Sequence, residues 1–272
     1  MKRTIKTVVG YGLFVSKLER WLLRGTSAVV ALHRVNPSAG AESLTMHPDE
    51  LDAYCRYFKR RFDVVPLAEI VLSLERGVAA GRRLAITFDD GYRDNFTFAA
   101  PILEAHGLPA TFFVVSGFIG TDTVPWWDRR ARVVHPWMSW EEVRSLQARR
   151  FEIGAHTRTH VDLGATSGDE ARTEILGARR DLERRLGVPV RAFAYPYGRR
   201  DNLTEANRQI VRDAGFRCCC SAFGGVNAVP TDPFHLRRIP IAPGCVSPSE
   251  FGFELALRRT VLAPRRAGAR SA

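Results

Sequence analysis

The stretch Leu84-Ala-Ile-Thr-Phe-Asp-Asp-Gly-Tyr92 decides how the rest of the chain is interpreted. It begins as a short apolar strand and ends in two adjacent carboxylates, Asp89 and Asp90, followed by a glycine. Because successive strand residues face opposite ways, one carboxylate can bind a metal ion while the other serves as a base. The structural alternative is a strand-to-helix turn in which either aspartate caps a helix that begins near Tyr92.

A second polar cluster ends another strand-like run, Phe151-Glu-Ile-Gly-Ala-His-Thr-Arg-Thr-His160. His156 and His160 stand at positions i and i+4, so both imidazoles can lie on one side of a turn and share one ion. Two solvent-facing loop histidines are the alternative. With Asp90, the pair supplies one carboxylate and two imidazoles, a set that leaves coordination positions open for water and substrate.

Three motifs carry a resemblance to a known family: TFDDG at 87–91, HTRTH at 156–160 and FAYPYG at 193–198. Their residues and order resemble the polysaccharide deacetylase family, the NodB-homology carbohydrate esterases of the family 4 type. The resemblance covers the chain from about residue 28 to about residue 240. It implies an α/β fold, a distorted parallel (β/α) barrel of about seven strands, with the motif residues converging at the carboxyl ends of separate strands.

Strands and helices alternate along the chain, which independently predicts a parallel α/β barrel. Predicted strands cover 27–35, 64–66, 84–88, 110–115, 151–155, 190–194, 216–221 and 234–239. Predicted helices cover 48–61, 67–74, 92–106, 140–150, 167–186 and 203–214, and residues 116–138 form a long loop.

The resemblance also implies roles for individual residues. A divalent ion held by Asp90, His156 and His160 would lower the pKa of water and polarise an acyl oxygen. Zinc is the expected ion, with cobalt, nickel and manganese as alternatives. The first aspartate of the motif, Asp89, corresponds to the general base.

The third motif implies a donor for the oxyanion. In the family this donor is the backbone N–H just after the motif's proline, which falls on Tyr197 after Pro196. Pro196 shapes the turn in this interpretation, and its structural alternative is an ordinary loop proline. Both residues are also candidates for substrate contact.

The general acid departs from the usual family pattern, because no Leu-x-His motif stands near the C-terminus. One branch, resembling poly-N-acetylglucosamine deacetylases, is circularly permuted and carries this histidine on an N-terminal strand. His33 fits that arrangement and is the first candidate to protonate the leaving amine. His235 is the second candidate, and a core-edge histidine is the structural alternative for His33.

A second departure concerns the residue that holds the base. Ala194 stands where many members have an arginine. Arg237 or Arg238, from the last predicted strand, can take its place, whereas Arg191 lies at the start of a strand and suits the role less well.

The loop at 116–138 contains two adjacent tryptophans, Trp126 and Trp127. Loops of this length in a compact domain are often functional, and tryptophans suit stacking on a sugar ring. The alternative is a loop pinned to the surface by its own aromatic side chains.

The composition fits one large domain. The 272 residues are 45% hydrophobic and carry a net charge of +11. This charge suits an anionic membrane face, an acidic glycan or nucleic acid, but the chain has no nucleic-acid-binding motif, so nucleic acid is not an expected partner.

Five cysteines, three of them consecutive at Cys218–Cys220, do not form a disulfide pattern and favour a reducing compartment. The run of three is expected to be a buried strand.

The chain is predicted to have three parts: a basic amphipathic helix at 1–26, the barrel domain at 27–262 and a disordered basic tail at 263–272. The N-terminal apolar run is too short to span a bilayer, and no signal peptide is expected. The helix packs on the domain in the favoured interpretation and docks at the inner membrane surface in the other. We therefore expect a cytoplasmic protein, with peripheral contact at the inner membrane face as an option.

These observations predict a metal-dependent hydrolase that removes N-acetyl groups from an amino-sugar polysaccharide, oligosaccharide or glycolipid precursor. One alternative within enzymes is hydrolysis of another non-peptide amide or of an O-acetyl ester. Another is a catalytically silent carbohydrate-binding barrel, which would not need the base Asp89. A third is a membrane-surface or nucleic-acid-binding protein driven by the positive charge.

Overall fold

The computed structural model describes residues 25–38, 44–78 and 81–241, together with Glu250, Phe251 and Leu255. The helix predicted at 1–26 lies outside these residues except for its end, where Thr26 already belongs to the first strand. The tail predicted at 263–272 also lies outside them.

The elements alternate as the sequence predicts. The strands are β1 (Thr26–Leu32), β2 (Arg34–Val35), β3 (Thr45–Met46), β4 (Asp63–Val64), β5 (Arg83–Phe88), β6 (Thr111–Val114), β7 (Glu152–Ala155), β8 (Ala192–Ala194), β9 (Cys218–Cys220), β10 (Asn227–Ala228) and β11 (Ile239–Pro240). The helices are α1 (Pro48–Arg61), α2 (Leu67–Glu75), α3 (Ala100–His106), α4 (Trp126–Ala131), α5 (Trp140–Ala148), α6 (Gly168–Leu186) and α7 (Glu205–Asp213). A π-helical turn covers Asn95–Ala99 and a 3-10 turn covers Pro233–His235.

One strongly curled sheet organises the domain. Its order is β10-β1-β5-β6-β7-β8-β9, with β4 also pairing with β5 and β11 with β1. The pairings are parallel except for that of β10, which runs antiparallel to β1, so the sheet is mixed. The predicted α/β barrel-like fold is confirmed, with this antiparallel strand as an addition.

The segment that includes β11 connects the two sides of the curled sheet. At one end, the N–H of Ser221 donates to the carbonyl of Leu236 (2.9 Å), and the N–H of Leu236 donates to that of Cys219 (3.2 Å). At the other end, β11 pairs with β1, and the N–H of Ile241 donates to the carbonyl of Ala31 (3.0 Å). This connection carries residues 236–241 between β9 and β1, directly beside the strand ends.

Side-chain caps satisfy the first N–H groups of several helices. Ser139 and Glu142 form a reciprocal capping box at the start of α5. Ser167 caps α6 and Thr204 caps α7 in the same way, by accepting a hydrogen bond from a backbone N–H in the first turn. No helix in the described part of the chain is both long and apolar enough to cross a membrane.

Four predicted elements differ from the structure. The strand predicted at 27–35 ends at Leu32, and residues 34–35 form β2, which pairs with β3 in a separate two-stranded sheet. The last strand, predicted at 234–239, is instead a 3-10 turn, an isolated bridge at Leu236 and the short β11, because Asp232 accepts a hydrogen bond from the N–H of Phe234 (2.9 Å) and turns the chain. The predicted helix at 92–106 contains a π-helical turn at Asn95–Ala99, near its start. The loop at 116–138 contains the short helix α4, which follows Pro125.

The cysteine run forms a buried strand, as the sequence predicts. Cys218, Cys219 and Cys220 make up β9 and are fully buried free thiols. Burial raises the pKa of Cys219, and a hydrogen bond with Cys220 together with burial raises the pKa of Cys218, so the thiols of Cys218 and Cys219 stay protonated at neutral pH.

Candidate active site

A left-handed turn places the two aspartates at the end of β5. Asp90 has φ of 74° and Gly91 has φ of 91°. A Cβ on Gly91 would lie 3.0–3.1 Å from Val114 and Ile119, so the position requires glycine. Strained backbone of this kind persists where surrounding hydrogen bonds hold it, and here the N–H of Val115 donates to the carbonyl of Asp90 (3.1 Å).

The two histidines reach Asp90 from the end of β7. The N–H of the His156 ring at Nδ1 donates to the carbonyl of Ala194 (2.8 Å), because a carbonyl can only accept. This bond leaves Nε2 of His156 facing Oδ1 of Asp90 at 3.4 Å. His160, itself left-handed with φ of 60°, places its Nε2 at 3.3 Å from the same oxygen.

These three side chains fit a divalent metal ion. Their donor atoms lie within 4.8 Å of one another, and all three residues are buried. Oδ1 of Asp90 has no hydrogen-bond partner among the described residues, although it is buried. Donors bound to one tetrahedral zinc ion stand about 3.3 Å apart, which is close to the observed 3.3 and 3.4 Å spacings. The residues therefore form a candidate metal site; which metal it holds does not follow from this geometry.

The electrostatics of the cluster keep the imidazole of His160 available as a ligand. Burial lowers the pKa of His160, against the opposing effect of Asp90, and a neutral imidazole is the form that binds metal. Burial raises the pKa of Asp90, but the adjacent imidazoles of His156 and His160 outweigh this effect and hold it well below its ordinary value. The carboxylate is therefore ionised at neutral pH.

Arg238 binds the other aspartate, Asp89. Its Nη1 and Nη2 donate to the two carboxylate oxygens at 2.6 and 2.7 Å, and its Nε donates to the carbonyl of Ser221 at 2.7 Å. Nη1 also donates to Oγ1 of Thr87 at 3.0 Å. Burial by itself raises the pKa of Asp89, but the charge and hydrogen bonds of Arg238, together with His156, hold that pKa below its ordinary value.

A cavity of about 330 Å³ opens over this cluster. His33, Trp126, Trp127 and Tyr197 all line it, along with Asp89, Asp90, His156 and His160. Trp126 is 51% exposed and donates from Nε1 to the hydroxyl of Tyr197 (3.3 Å). The ring of Trp127 lies 4.6 Å from that of His160, so one tryptophan faces solvent and the other supports a candidate ligand.

Several other predicted residues fall in different places. Pro196 is buried in the turn before Tyr197, which has φ of 62°. Arg237 lines a separate cleft and, unlike Arg238, does not contact Asp89. His235 also lies in that cleft, near Glu205 and Asp232, whereas His33 lies in the candidate active site.

A buried network around Asp128 supports the tryptophans, and no sequence motif predicts it. The hydroxyl of Tyr92 donates to Oδ2 of Asp128 (3.2 Å) and accepts from Nε1 of Trp127 (2.8 Å). Arg34 lies 3.6 Å from Oδ1 of Asp128 and over the ring of Tyr92. The short helix α4 is thereby tied to the residues that follow both Asp90 and His33.

With this geometry, the chain belongs to the polysaccharide deacetylase family. Residues 76–219, more than half of the chain, match the family described as Polysaccharide deacetylase. A related protein, YxkH of Bacillus subtilis (strain 168), is 21% identical to this chain over 234 residues. These residues are 85% of this chain and 78% of YxkH.

Two further similarities cover the domain to different extents. The chitooligosaccharide deacetylase of Sinorhizobium fredii (strain NBRC 101917 / NGR234) is 32% identical over 117 residues, 42% of this chain and 46% of that protein. The structure of Streptococcus pyogenes deacetylase PplD in complex with acetate superposes with a TM-score of 0.70 at 21% identity, covering 85% of this chain and 98% of PplD. At this identity the likeness to PplD is one of fold.

Proposed function

We propose that this protein is a metal-dependent carbohydrate deacetylase that hydrolyses N-acetyl groups on an amino-sugar glycan or glycolipid. The observation that carries the proposal is the arginine-bound carboxylate of Asp89 beside the Asp90, His156 and His160 cluster in one cavity. A protein that only binds sugar has no need for a buried, ionised carboxylate next to a metal site.

The names of the relatives support acetyl as the group that is removed and a polysaccharide or oligosaccharide as the substrate. The family is named for polysaccharide deacetylation, PplD is described as a deacetylase in complex with acetate, and the S. fredii relative as a chitooligosaccharide deacetylase. The free thiols of the described cysteines support a reducing compartment such as the cytoplasm.

In the proposed reaction, Asp89 accepts the proton of the attacking water. Arg238 holds the carboxylate by both oxygens, which fixes its orientation and keeps it ionised at neutral pH, while each oxygen retains a lone pair that can accept. A divalent ion bound at the neighbouring site would lower the pKa of water and polarise the acetyl oxygen.

The remaining groups act on the leaving amine and on the negative charge that develops on the acetyl oxygen. His33 lines the cavity after β1 and is the proposed donor of a proton to the leaving amine. Its carbonyl accepts a hydrogen bond from the side chain of Asn95 (2.9 Å), which fixes the backbone at this position. The backbone N–H of Tyr197 is the proposed donor to the oxyanion. Trp126, exposed at the rim, offers a stacking surface for a sugar ring.

The test is amine and acetate release from two acetylated substrates. We expect the wild-type protein to release free amine from N-acetylchitotetraose and Asp89→Asn to release none above background. Asp201→Asn, a change at an exposed aspartate outside the cavity, should retain wild-type activity. If acetate is released only from an O-acetylated xylo-oligosaccharide, the bond that the protein hydrolyses is an ester and not an amide. Release from neither substrate would count against the proposal.

A further inference from the structure

A second cleft, of about 520 Å³, lies beside the candidate active site. Its polar lining includes Arg200, Arg208, Arg237, His235 and Asp232, and Phe223 supplies an aromatic surface. Clefts of this size are common ligand sites. None of the catalytic roles proposed above uses it.

The charge in and around this cleft is positive. Arg208 pairs with Glu205 at 2.9 Å, but that carboxylate is 74% exposed, so the pair neutralises the guanidinium only weakly. The Nε of Arg208 is buried and has no hydrogen-bond partner among the described residues. Asp232, the carboxylate in the lining, already pairs with Arg212 at 3.0 Å.

Arg237 adds a half-buried guanidinium to the same cleft. No carboxylate within the described ranges lies within 4.0 Å of its side chain, in contrast to its neighbour Arg238, which is bound to Asp89. On the opposite side, Arg200 lies over the ring of Phe223 with its central carbon 4.7 Å from the ring centroid. Four guanidinium groups, of Arg200, Arg208, Arg212 and Arg237, therefore face two carboxylates, of Glu205 and Asp232.

One shared wall separates this cleft from the candidate active site. The N–H of Ala222 donates to the carbonyl of Gly198 (2.8 Å), which joins the segment 198–200 to the segment 221–223. Arg199 and Ala222 line the active-site cavity, whereas Arg200 and Phe223 line the cleft. A chain of sugars with one residue in the cavity would reach the cleft by crossing this wall.

We propose that the cleft binds an anionic group of the glycan substrate, a carboxylate or a phosphate on a residue next to the one that is deacetylated. The inference rests on the proposed function. Guanidinium groups bind carboxylate and phosphate oxygens through paired hydrogen bonds, and three of them, from Arg200, Arg208 and Arg237, line this cleft. The preferred substrate is therefore an acidic acetylated glycan, and neutral glycans bind the same site more weakly.

The test measures binding separately from catalysis, by calorimetry on the full-length Asp89→Asn protein. Two probes of equal length are compared: hyaluronan tetrasaccharide, which alternates N-acetylglucosamine with glucuronate, and neutral N-acetylchitotetraose. We expect about tenfold tighter binding of the acidic probe in 50 mM salt, the effect of one or two charge-assisted hydrogen bonds. In 500 mM salt this preference should shrink to less than about threefold.

Variants identify the residues responsible. Arg208→Gln combined with Arg237→Gln should abolish the preference, and Arg172→Gln, which removes an exposed arginine of α6, should preserve it. Equal affinity for the two probes in the Asp89→Asn protein would overturn the proposal, as would a preference that the double substitution leaves intact. If the double variant fails to fold, the two single variants and the salt dependence decide the same question.

Competition by small sugar anions distinguishes the two sources of charge. Displacement of hyaluronan tetrasaccharide by glucose 1-phosphate at lower concentration than by glucuronate assigns a phosphate, and the reverse order assigns a carboxylate. Displacement by neither, or equally by neutral glucose, would overturn the proposal. These binding results do not depend on turnover, so they fail or succeed independently of the amine-release test.

Discussion

Arg238 binds both carboxylate oxygens of Asp89, at 2.6 and 2.7 Å, although 149 positions separate the two residues in the sequence. The arginine is completely buried. Burial lowers its pKa, but Asp89 outweighs that effect and raises it, so both partners stay charged. The pair is therefore a fixed ion pair inside the curled sheet, directly beside the candidate metal ligands.

Removal of Arg238 should affect both stability and activity. Arg238→Met leaves the buried Asp89 without its partner, and breaking a buried ion pair in this way costs about 3–5 kcal/mol. We expect a loss of this size by urea unfolding at pH 8 and at least a hundredfold fall in kcat. Arg238→Lys keeps the charge but not the paired geometry and should give an intermediate kcat.

Arg191→Met is the matched control for Arg238→Met. Arg191 precedes β8 and is exposed, so this substitution should change the unfolding free energy by less than about 0.5 kcal/mol. An Arg238→Lys protein with wild-type kcat and stability would contradict the proposed role of the ion pair.

Asp94 should make stability depend on pH. Burial is the main cause that raises the pKa of Asp94 from 3.8 to about 7 in the folded protein. Because the folded-state pKa is the higher one, the folded protein binds more protons than the unfolded chain between about pH 4 and pH 7, and stability falls as pH rises through this window. Asp94→Asn removes this dependence.

The measurement is the difference in unfolding free energy between Asp94→Asn and wild type at pH 5 and pH 8. Relative to wild type, we expect the unfolding free energy of Asp94→Asn to be higher at pH 8 than at pH 5 by up to roughly 3 kcal/mol. Asp201→Asn, at an exposed position, should show no such movement. If the unfolding free energy of the variant relative to wild type is the same at both pH values, or is lower at pH 8, then Asp94 is not a buried acid with a raised pKa.

Trp126 should contribute to substrate binding rather than to the chemical step. Its side chain is 51% exposed at the rim of the cavity, where a sugar can stack on it. Trp126→Ala should raise KM for N-acetylchitotetraose about three- to tenfold and leave kcat within about twofold, as expected for one aromatic contact. Val134→Ala, at a 73% exposed apolar position, is the control; unchanged KM for Trp126→Ala would contradict this role.

Trp127 should instead support the metal site. Its ring packs 4.6 Å from that of His160 and its Nε1 donates to Tyr92. Trp127→Ala should weaken metal binding about tenfold, the usual effect of losing a group that orients a ligand. Competition with a fluorescent chelator measures this, with Trp126→Ala as the comparison. Equal metal affinity in the two variants would rule out the distinction.

Much of the site follows from local sequence. Asp89, Asp90, His156 and His160 each stand at the end of a strand that the apolar pattern predicts, and parallel strands bring their carboxyl ends to one edge. The choice between Arg237 and Arg238 does not follow in this way. Adjacent residues of an extended segment face opposite sides, so the choice depends on how residues 236–241 are aligned between β9 and β1. Only the closed sheet determines this alignment.

Other parts of the structure depend on contacts that no local pattern records. The helix α4 has six residues, too few for a periodic apolar pattern, and it is held by the contacts of Asp128 with Tyr92 and Arg34. The π-helical turn at 95–99 continues directly into α3, so the sequence predicts one helix over both. In this turn the side-chain N–H of Asn95 donates to the carbonyl of His33, which follows β1, at 2.9 Å.

The most direct test of the central claim is metal content measured together with amine release on the same protein samples. We expect about one divalent ion per chain for wild type and Asp89→Asn, with amine release by wild type only. His160→Gln should lose both the ion and the activity, whereas His47→Gln, at an exposed histidine outside the cavity, should keep both. Folded wild-type protein that binds no divalent ion when supplied with zinc would contradict the account.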